Sequence, residues 1–316
     1  MFITILHTSV LLASSFLFSC QSQPAAQTTE PPSSQEPYSL LQAQPSPQMR
    51  ITKDIKYAHR RLTRDALTSL DIYEPGTNST GPRPTLIYIH GGGWAIGDKA
   101  RVHHKATWAT YHGWNFVSIN YRLSPRVQHP DHAIDAAAAI AYVIEHATEH
   151  NTDPTKLVIM GHSAGAHLAA IVATDESLLA KHNLAPSDLS GVVLLDGAGY
   201  DIPTQMNSPL LTGRTRTMYE NAFGDDPKLW ITASPTLQAK PGDDLPPLLA
   251  IHVGDRQRSR VESTNLVTAW QATPAKALIH HAPDKDHASI NKDLGTKNDP
   301  DTRVVTEFIY SAFGLD

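Results

Sequence analysis

Cysteine is almost absent from this chain of 316 residues, which contains only Cys20. One cysteine cannot form an intramolecular disulfide, so the fold must be held by its hydrophobic core. Positive charge is also scarce, because 26 Lys and Arg stand against 31 Asp and Glu and no long basic run occurs. A surface that binds nucleic acid usually carries a basic stripe. The net charge of −5 therefore argues against a nucleic-acid partner.

Sequence motifs for metal binding are missing as well. The chain contains no HExxH, and it has no second cysteine to serve as a ligand. Two histidine pairs, His129 with His132 and His146 with His150, are spaced closely enough to share a helix face. We interpret both pairs as parts of solvated helix surfaces, and we expect neither a metal nor any other cofactor.

The N-terminal stretch Ile3–Phe18 is mostly apolar but too short and too polar for a stable transmembrane helix. It suits the hydrophobic region of a signal peptide, so we expect residues 1–19 to be a signal peptide and the protein to be exported. The following Ser19-Cys20 resembles the processing site of bacterial lipoproteins. That resemblance implies lipidation of Cys20 and attachment to the periplasmic side of the outer membrane. Ordinary cleavage, leaving a periplasmic or secreted protein, is the alternative.

Residues 20–48 are rich in Gln, Pro, Ser and Thr and cannot bury enough apolar area to fold, so we expect a disordered tether there. From residue 49 to 316 short apolar runs alternate with helical patterns. The runs predict an edge strand followed by buried strands: Thr68–Tyr73, Thr85–Ile89, Asn115–Asn120, Lys156–Met160, Gly191–Leu195, Leu248–Val253 and Lys276–His280.

Helices are predicted over Pro130–His150, Ala164–Ala173 and Val261–Gln271. Strands alternating with helices are typical of a doubly wound α/β fold with a mostly parallel sheet. Residues 200–247 contain no clear strand and are rich in Pro, Gly, Asp and Thr. We interpret this segment as an irregular cap-like insertion that contributes to substrate binding.

The strongest chemical signal is Gly161-His162-Ser163-Ala164-Gly165, which lies between an apolar strand and a helix of small residues. This context predicts a nucleophile elbow, a sharp turn that presents a serine hydroxyl above the sheet. The two glycines let the strand and the helix approach each other closely around the turn. Ser163 is therefore the predicted nucleophile.

A second signal, His90-Gly91-Gly92-Gly93-Trp94, follows the strand Thr85–Ile89. Consecutive glycines leave the backbone amides open to a ligand. In a serine hydrolase such amides, together with the amide after the nucleophile, form an oxyanion hole. We expect these amides and that of Ala164 to stabilise an oxyanion.

These motifs, with Gly97-Asp98-Lys99 and Asn120-Tyr121-Arg122-Leu123, resemble the bacterial esterases related to hormone-sensitive lipase. The resemblance is closest to their feruloyl/acetylxylan-esterase-like branch and covers roughly residues 50 to 316. It implies an α/β-hydrolase fold, and it implies that Gly92 and Gly93 are the glycine donors of the oxyanion hole. It also implies that Tyr121 and Arg122 brace the end of their strand.

The general base is expected after the last strand, where His287 is preferred to His280 and His281 because these two lie within or at the end of that strand. The acid is expected after the preceding strand, where Asp255 follows Gly254. The family spacing falls on Gln257 instead, so Asp196, after an earlier strand, stays open as an alternative. Asp255 is preferred because it is the only acidic residue just beyond that strand, and the order Ser163, Asp255, His287 also agrees with this fold.

The predicted activity is hydrolysis of a small or carbohydrate-linked carboxylic ester through an acyl-enzyme, with a small-molecule ester as the partner and no cofactor. Two alternatives remain at this point. Arylformamidases share the same elbow and glycine motif, so an amide hydrolase is one of them. The other is a catalytically inactive binding protein on the same fold, which a missing acid would produce.

Overall fold

The computed structural model of the protein describes residues 49–58, 65–76 and 81–315. The predicted signal peptide, the tether and Cys20 lie outside this range. Eight strands form one sheet: β1 (Arg50–Lys56), β2 (Ser69–Glu74), β3 (Arg83–Ile89), β4 (Asn115–Ile119), β5 (Thr152–His162), β6 (Gly191–Leu195), β7 (Leu248–Val253) and β8 (Ala277–Ala282).

The strand order across the sheet is β1-β2-β4-β3-β5-β6-β7-β8. Strands β3 to β8 run parallel, and β2 is antiparallel to both of its neighbours. The prediction that the strand near Thr68–Tyr73 is an edge strand is wrong, because β1 pairs with its outer side. β1 is mostly exposed and carries no run of apolar residues, so the sequence pattern did not reveal it.

Helices cover both faces of the sheet: α1 (Lys105–Tyr111), α2 (Asp131–Glu145), α3 (Ala164–Thr174), α4 (Glu176–Ala180), α5 (Ile202–Met206), α6 (Gly213–Phe223), α7 (Pro227–Thr232), α8 (Pro235–Gln238), α9 (Gln257–Gln271), α10 (Ser289–Asp293) and α11 (Pro300–Ala312). Short 3₁₀ turns occupy Asp65–Thr68 and Pro186–Asp188. The three predicted helices correspond to α2, α3 and α9.

The buried strands divide their side chains between two cores, as the two-residue period of a strand requires. In β3, Ile87 and Ile89 pack with α2, α3 and α9, whereas Leu86 and Tyr88 pack with α1 and α11. The molecule is therefore a three-layer α/β/α structure, and the predicted α/β class with a mostly parallel sheet is confirmed. Parallel strands place all their carboxyl ends at one edge, where ligand sites of this class lie.

The segment between β6 and β7 is helical rather than irregular, since it carries α5, α6, α7 and α8. Three of these helices have Pro in the first turn, and Asp201 and Asp226 accept hydrogen bonds from the first-turn amides of α5 and α7. Proline at that position needs no hydrogen-bond partner, and an Asp cap satisfies a free amide. The Pro and Asp residues of this segment thus mark the starts of helices.

Candidate active site

Ser163 lies between the end of β5 and the start of α3, in a left-handed backbone conformation with φ 56° and ψ −120°. Such a conformation is strained for a residue with a side chain, and structures keep it mainly at functional sites. The amide of Ser163 donates to the carbonyl of Leu195 on β6 at 3.1 Å, which holds the turn against the sheet.

The two glycines of the turn have no room for a side chain. A Cβ on Gly161 would lie 2.1 Å from the carbonyl oxygen of Gly165, and one on Gly165 would lie 2.1 Å from that of Ile89. Any larger residue would therefore push the helix away from the sheet. This is the close approach that the Gly-x-Ser-x-Gly pattern predicted around Ser163.

His287 lies in the turn between β8 and α10, with its Nε2 3.0 Å from the Oγ of Ser163. The neighbouring His162 side chain bonds the backbone carbonyl of His287 through its Nε2 at 2.7 Å. Burial lowers the pKa of His162 to about 3, so its ring is neutral and the Nε2 proton is the one it donates. Sequence reasoning missed this contact, although His162 stands inside the elbow motif.

Asp196, and not Asp255, is the carboxylate next to His287. The Oδ2 of Asp196 lies 2.5 Å from the Nδ1 of His287, and the Asp196 side chain is fully buried directly after β6. Asp255 is exposed, and no hydrogen bond joins it to His287 among the described residues. The preference for Asp255 is therefore corrected in favour of the alternative, Asp196.

The Asp196 carboxylate also accepts hydrogen bonds from the Oγ of Ser259 and from the guanidinium of Arg256. Burial alone would raise the pKa of Asp196. The hydrogen bonds from His287 and Ser259 and the charge of Arg256 outweigh it and hold that pKa below its usual value. Asp196 is thus a buried anion that can orient the imidazole of His287 and stabilise it when it accepts the Ser163 proton.

The glycine loop after β3 passes directly beside the serine. A Cβ on Gly91 would lie 3.0 Å from the Cβ of Ser163 and 2.8 Å from the carbonyl oxygen of His162. Gly92 and Gly93 both have positive φ, 125° and 58°, a conformation that glycine adopts without strain. The Ala164 amide is the first of α3, and the first amides of a helix have no partner within it.

The cap contacts this loop through aromatic side chains. The ring of Trp94 packs edge-on against Tyr219 and Phe223 of α6, with ring centroids 5.3 and 4.8 Å apart. Its indole nitrogen donates to the Nδ1 of His167 on α3 at 3.3 Å. The Sδ of Met218, also on α6, would lie 2.4 Å from a Cβ on Gly93. Helix α6 therefore forms one wall of the space around the glycine loop.

Two residues expected to brace the end of β4 do so. The hydroxyl of Tyr121 donates to the carbonyl of His90 at 3.1 Å, which fixes the start of the glycine loop. The Nε of Arg122 donates to the buried carboxylate of Asp135 on α2 at 2.7 Å. These contacts hold the loop without reaching the reacting groups.

The two histidines of β8 have structural partners. His280 bonds Asp301 at 2.7 Å, and His281 bonds the carbonyl of Gly254 at 3.0 Å. The expectation that the pairs His129 with His132 and His146 with His150 lie on solvated helix surfaces is wrong for His129, His132 and His150, because these three are buried. No group of three His, Cys, Asp or Glu residues suited to a metal occurs in the part of the chain that the structure describes.

Comparison with known proteins identifies the family and the fold of the chain. The BD-FAE family model matches residues 70–257, a range that includes Ser163 and Asp196 and ends before His287. Esterase LipQ of Mycobacterium tuberculosis is 32% identical over 231 residues, 68% of this chain and 54% of LipQ. LipM of the same organism, a probable carboxylic ester hydrolase, is 42% identical over 106 residues, 33% of this chain and 25% of LipM.

Among solved structures, a truncated form of a carbohydrate esterase from gut microbiota superimposes with a TM-score of 0.71. The two share 22% sequence identity, and the match covers 84% of this chain and 96% of that one, so the likeness is one of fold. The chain spans about half the length of LipQ and a quarter of LipM. Over the described residues, no helix is both long and apolar enough to cross a membrane.

Proposed function

Since the chain belongs to the BD-FAE family and has the α/β-hydrolase fold of known esterases, we propose that it is a serine hydrolase of carboxylic esters. The observation that carries this proposal is the continuous hydrogen-bonded series from Ser163 through His287 to Asp196. A hydroxyl, an imidazole and a buried carboxylate in that order are the parts required to activate a serine.

In the proposed reaction the Oγ of Ser163 attacks the ester carbonyl carbon while the Nε2 of His287 takes the hydroxyl proton. Asp196 holds the Nδ1 proton of His287 and stabilises the imidazolium. His287 then protonates the leaving alkoxide, and the C–O bond of the ester breaks to leave an acyl group on Ser163. Water, deprotonated by His287, then attacks the acyl carbon. The bond between that carbon and the Oγ of Ser163 breaks, His287 returns the proton to Ser163, and the acid is released.

The amides of Gly92, Gly93 and Ala164 are the proposed donors to the oxyanion that forms on the carbonyl oxygen. Their support is the contact of the glycine loop with Ser163 and the position of Ala164 at the start of α3. Each such donor is worth roughly 2–4 kcal/mol of transition-state stabilisation. The proposed reaction uses these residues, the ester and water.

For the substrate we propose a small or carbohydrate-linked ester. The resemblance to the feruloyl/acetylxylan-esterase-like branch and the similarity in fold to a carbohydrate esterase support the sugar-linked class. Met218 and α6 form a wall beside Gly93, and this wall limits the size of the ester that fits there.

The test is a substrate panel: p-nitrophenyl esters of increasing acyl length, acetyl and feruloyl sugar esters, and N-formylkynurenine. We expect the wild-type protein to hydrolyse short esters and Ser163→Ala to show no turnover above background. The circular dichroism spectrum of Ser163→Ala should match that of the wild type, which shows that the variant is folded. Turnover of N-formylkynurenine alone would assign the amide activity instead. Equal turnover by the wild type and Ser163→Ala would reject the proposal.

We also propose that the protein is exported and anchored through a lipidated Cys20, which lies outside the described residues. The support is the sequence alone, an apolar stretch followed by Ser19-Cys20 and a polar tether. Stable anchoring takes more than one acyl chain, as a fully processed lipoprotein cysteine carries. Fractionation of cells that express the wild type or Cys20→Ala tests this proposal. Equal amounts of both proteins in the soluble fraction would reject lipidation and favour simple secretion.

A further inference from the structure

The loop that follows β6, residues 196–200, carries the proposed acid and is named the acid loop below. Asp196 has φ 44° and Gly199 has φ 84°, so both lie in the left-handed region of backbone conformation. A residue with a side chain is strained there, and it keeps that conformation only where its surroundings impose it. The contacts that hold the acid loop therefore decide where the Asp196 carboxylate points.

The first end of the acid loop is fixed by the sheet and by α9. The amide of Asp196 donates to the carbonyl of Ile251 on β7 at 2.8 Å. The Oγ of Ser259 on α9 donates to the Oδ1 of the Asp196 carboxylate. These two bonds hold Asp196 itself, and the backbone further along the loop depends on other partners.

The other end of the acid loop is held by Glu262, which also belongs to α9. Its Oε2 accepts hydrogen bonds from the amide of Gly199 at 2.6 Å and from the amide of Tyr200 at 2.9 Å. Glu262 is only 4% exposed, so water does not compete for these bonds. Ser259 and Glu262 are three positions apart and therefore share one face of α9. One helix face thus binds both ends of the acid loop.

A carboxyl group is costly to bury at the position of Glu262. Burial raises the pKa of Glu262 to about 7, although the two amide hydrogen bonds act in the opposite direction. Its Oε1 has no hydrogen-bond partner among the described residues. An apolar side chain would carry neither cost. What the carboxyl group of Glu262 contributes through its hydrogen bonds is the fixed backbone of the acid loop.

The amides that Glu262 binds lie where the acid loop meets the glycine loop and the cap. A Cβ on Gly199 would lie 3.2 Å from the ring of Trp94, which follows the three glycines. The carbonyl of Tyr200 accepts a hydrogen bond from the amide of Thr236 in the cap at 3.0 Å. A shift of the acid loop would therefore be felt at the proposed acid and beside the proposed oxyanion hole.

We propose that Glu262 is a positioning residue for the proposed reaction. By binding the amides of Gly199 and Tyr200, it holds the acid loop in the conformation that directs the Asp196 carboxylate toward His287. This inference rests on the proposed function and adds to it a residue that touches none of the reacting atoms.

Steady-state kinetics on a short p-nitrophenyl ester test the proposal with three substitutions of Glu262. Glu262→Gln keeps an oxygen acceptor at the same reach, and we expect it to keep a kcat close to that of the wild type. Glu262→Leu removes the acceptor, and Glu262→Asp keeps the charge but withdraws the oxygens by one methylene group. Both should lower kcat about 10²-fold with little change in KM, because the acid is displaced while the substrate still binds. If Glu262→Leu fails to fold, Glu262→Asp gives the same comparison.

A variant elsewhere on the same helix controls for loss of stability. Leu266 is fully buried one turn further along α9, and Leu266→Ala leaves a cavity that should lower the temperature of unfolding. Below that temperature we expect Leu266→Ala to keep a kcat close to that of the wild type. Thermal unfolding of every variant shows the temperature at which kcat can be compared.

A second measurement follows the contact of Asp196 with His287 without any ester. A proton held between an imidazole nitrogen and a buried carboxylate gives a proton NMR resonance far downfield, and Asp196→Asn identifies this resonance by its loss. We expect the resonance in the wild type and in Glu262→Gln. It should be lost or broadened in Glu262→Leu and Glu262→Asp, because the acid loop no longer holds the carboxylate in place.

A kcat close to that of the wild type in either Glu262→Leu or Glu262→Asp would overturn the inference. An equal loss in Glu262→Gln and Glu262→Leu would also overturn it, because the accepted hydrogen bonds would then not matter. So would an equal loss in Leu266→Ala, which would assign the effect to stability alone. If the wild type hydrolysed no ester, the proposed function would fail, while the NMR resonance would still decide whether Glu262 positions Asp196.

Discussion

The Oδ2 of Asp196 lies 2.5 Å from the Nδ1 of His287, although 91 positions separate the two residues in the chain. The carboxylate is fully buried, and its position at the end of β6 brings it under the turn that carries His287. A buried carboxylate in this place fixes the tautomer of the imidazole whose Nε2 faces the nucleophile. The proposed mechanism depends on this contact.

The assignment of the acid to Asp196 rather than Asp255 therefore predicts opposite results for two matched variants. Asp196→Asn should lower kcat by several orders of magnitude, because an amide in this place favours the wrong tautomer of His287. Asp255→Asn should keep kcat within about threefold, since Asp255 is exposed and away from His287. Steady-state kinetics on a short p-nitrophenyl ester measure both, and a larger loss in Asp255→Asn would contradict the assignment.

A second prediction concerns the close approach at the elbow. Gly165→Ala should unfold the protein or abolish its activity, because the new Cβ would lie 2.1 Å from the carbonyl oxygen of Ile89. Gly81→Ala is the control, since a Cβ there meets nothing within 4 Å and its φ is not positive. Thermal unfolding and kcat/KM are measured for both variants. Wild-type stability and activity in Gly165→Ala would show that the elbow is looser than the structure indicates.

The proposed nucleophile and the proposed base could be located from sequence because each stands in a local pattern. Ser163 lies between two obligatory glycines, and His287 follows the last strand. The acid could not be chosen in this way. β6 and β7 are neighbouring parallel strands, so Asp196 and Asp255 both leave the sheet at the same edge. Which carboxylate turns toward the imidazole depends on loop conformation, here a left-handed Asp196 with φ 44°, which no local pattern specifies.

The cap-like segment between β6 and β7 shows a second limit of prediction from sequence. The Pro content of residues 200–247 predicts irregular chain, yet Pro203, Pro227 and Pro235 each lie in the first turn of a short helix. The same residue types start helices when an Asp or Ser precedes them, a signal that was present at Asp201 and Asp226. The contact of Tyr219 and Phe223 with Trp94 could not be foreseen, because it depends on how the cap folds back over the glycine loop.

Because several histidines are buried, we predict that the free energy of unfolding decreases in mildly acidic solution. Burial lowers the pKa of His132, His162 and His167 to about 3, from an unfolded value of 6.5. Between these values the unfolded chain binds protons that the native state does not, so the free energy of unfolding falls as the pH falls below about 6.5. Each residue contributes up to about 1.4 kcal/mol per pH unit in that window.

Urea unfolding at pH 7.5, 6.5 and 5.5 measures this effect. The midpoint should change little between the first two values and drop clearly at the third. Asp196 does not contribute there, because a carboxyl group with a lowered pKa loses its stabilisation only as the pH falls below its usual value of 3.8. His167→Gln should reduce the slope, since it removes one of the titrating groups. Identical midpoints at pH 7.5 and 5.5 would contradict the prediction.

The last prediction assigns a positioning role to His162. Its neutral ring donates from Nε2 to the backbone carbonyl of His287 at 2.7 Å, and the two rings lie 4.6 Å apart. His162→Leu removes that bond and lets the His287 turn shift, and displacements of about 1 Å at reacting groups can cost 10²-fold in rate. His162→Gln keeps an N–H donor at nearly the same reach. We therefore expect kcat to fall about 10²-fold in His162→Leu with little change in KM, and to recover most of that loss in His162→Gln. Thermal unfolding of both variants separates this effect from loss of the fold, and an equal fall in kcat for His162→Leu and His162→Gln would show that the donated hydrogen bond is not what positions His287.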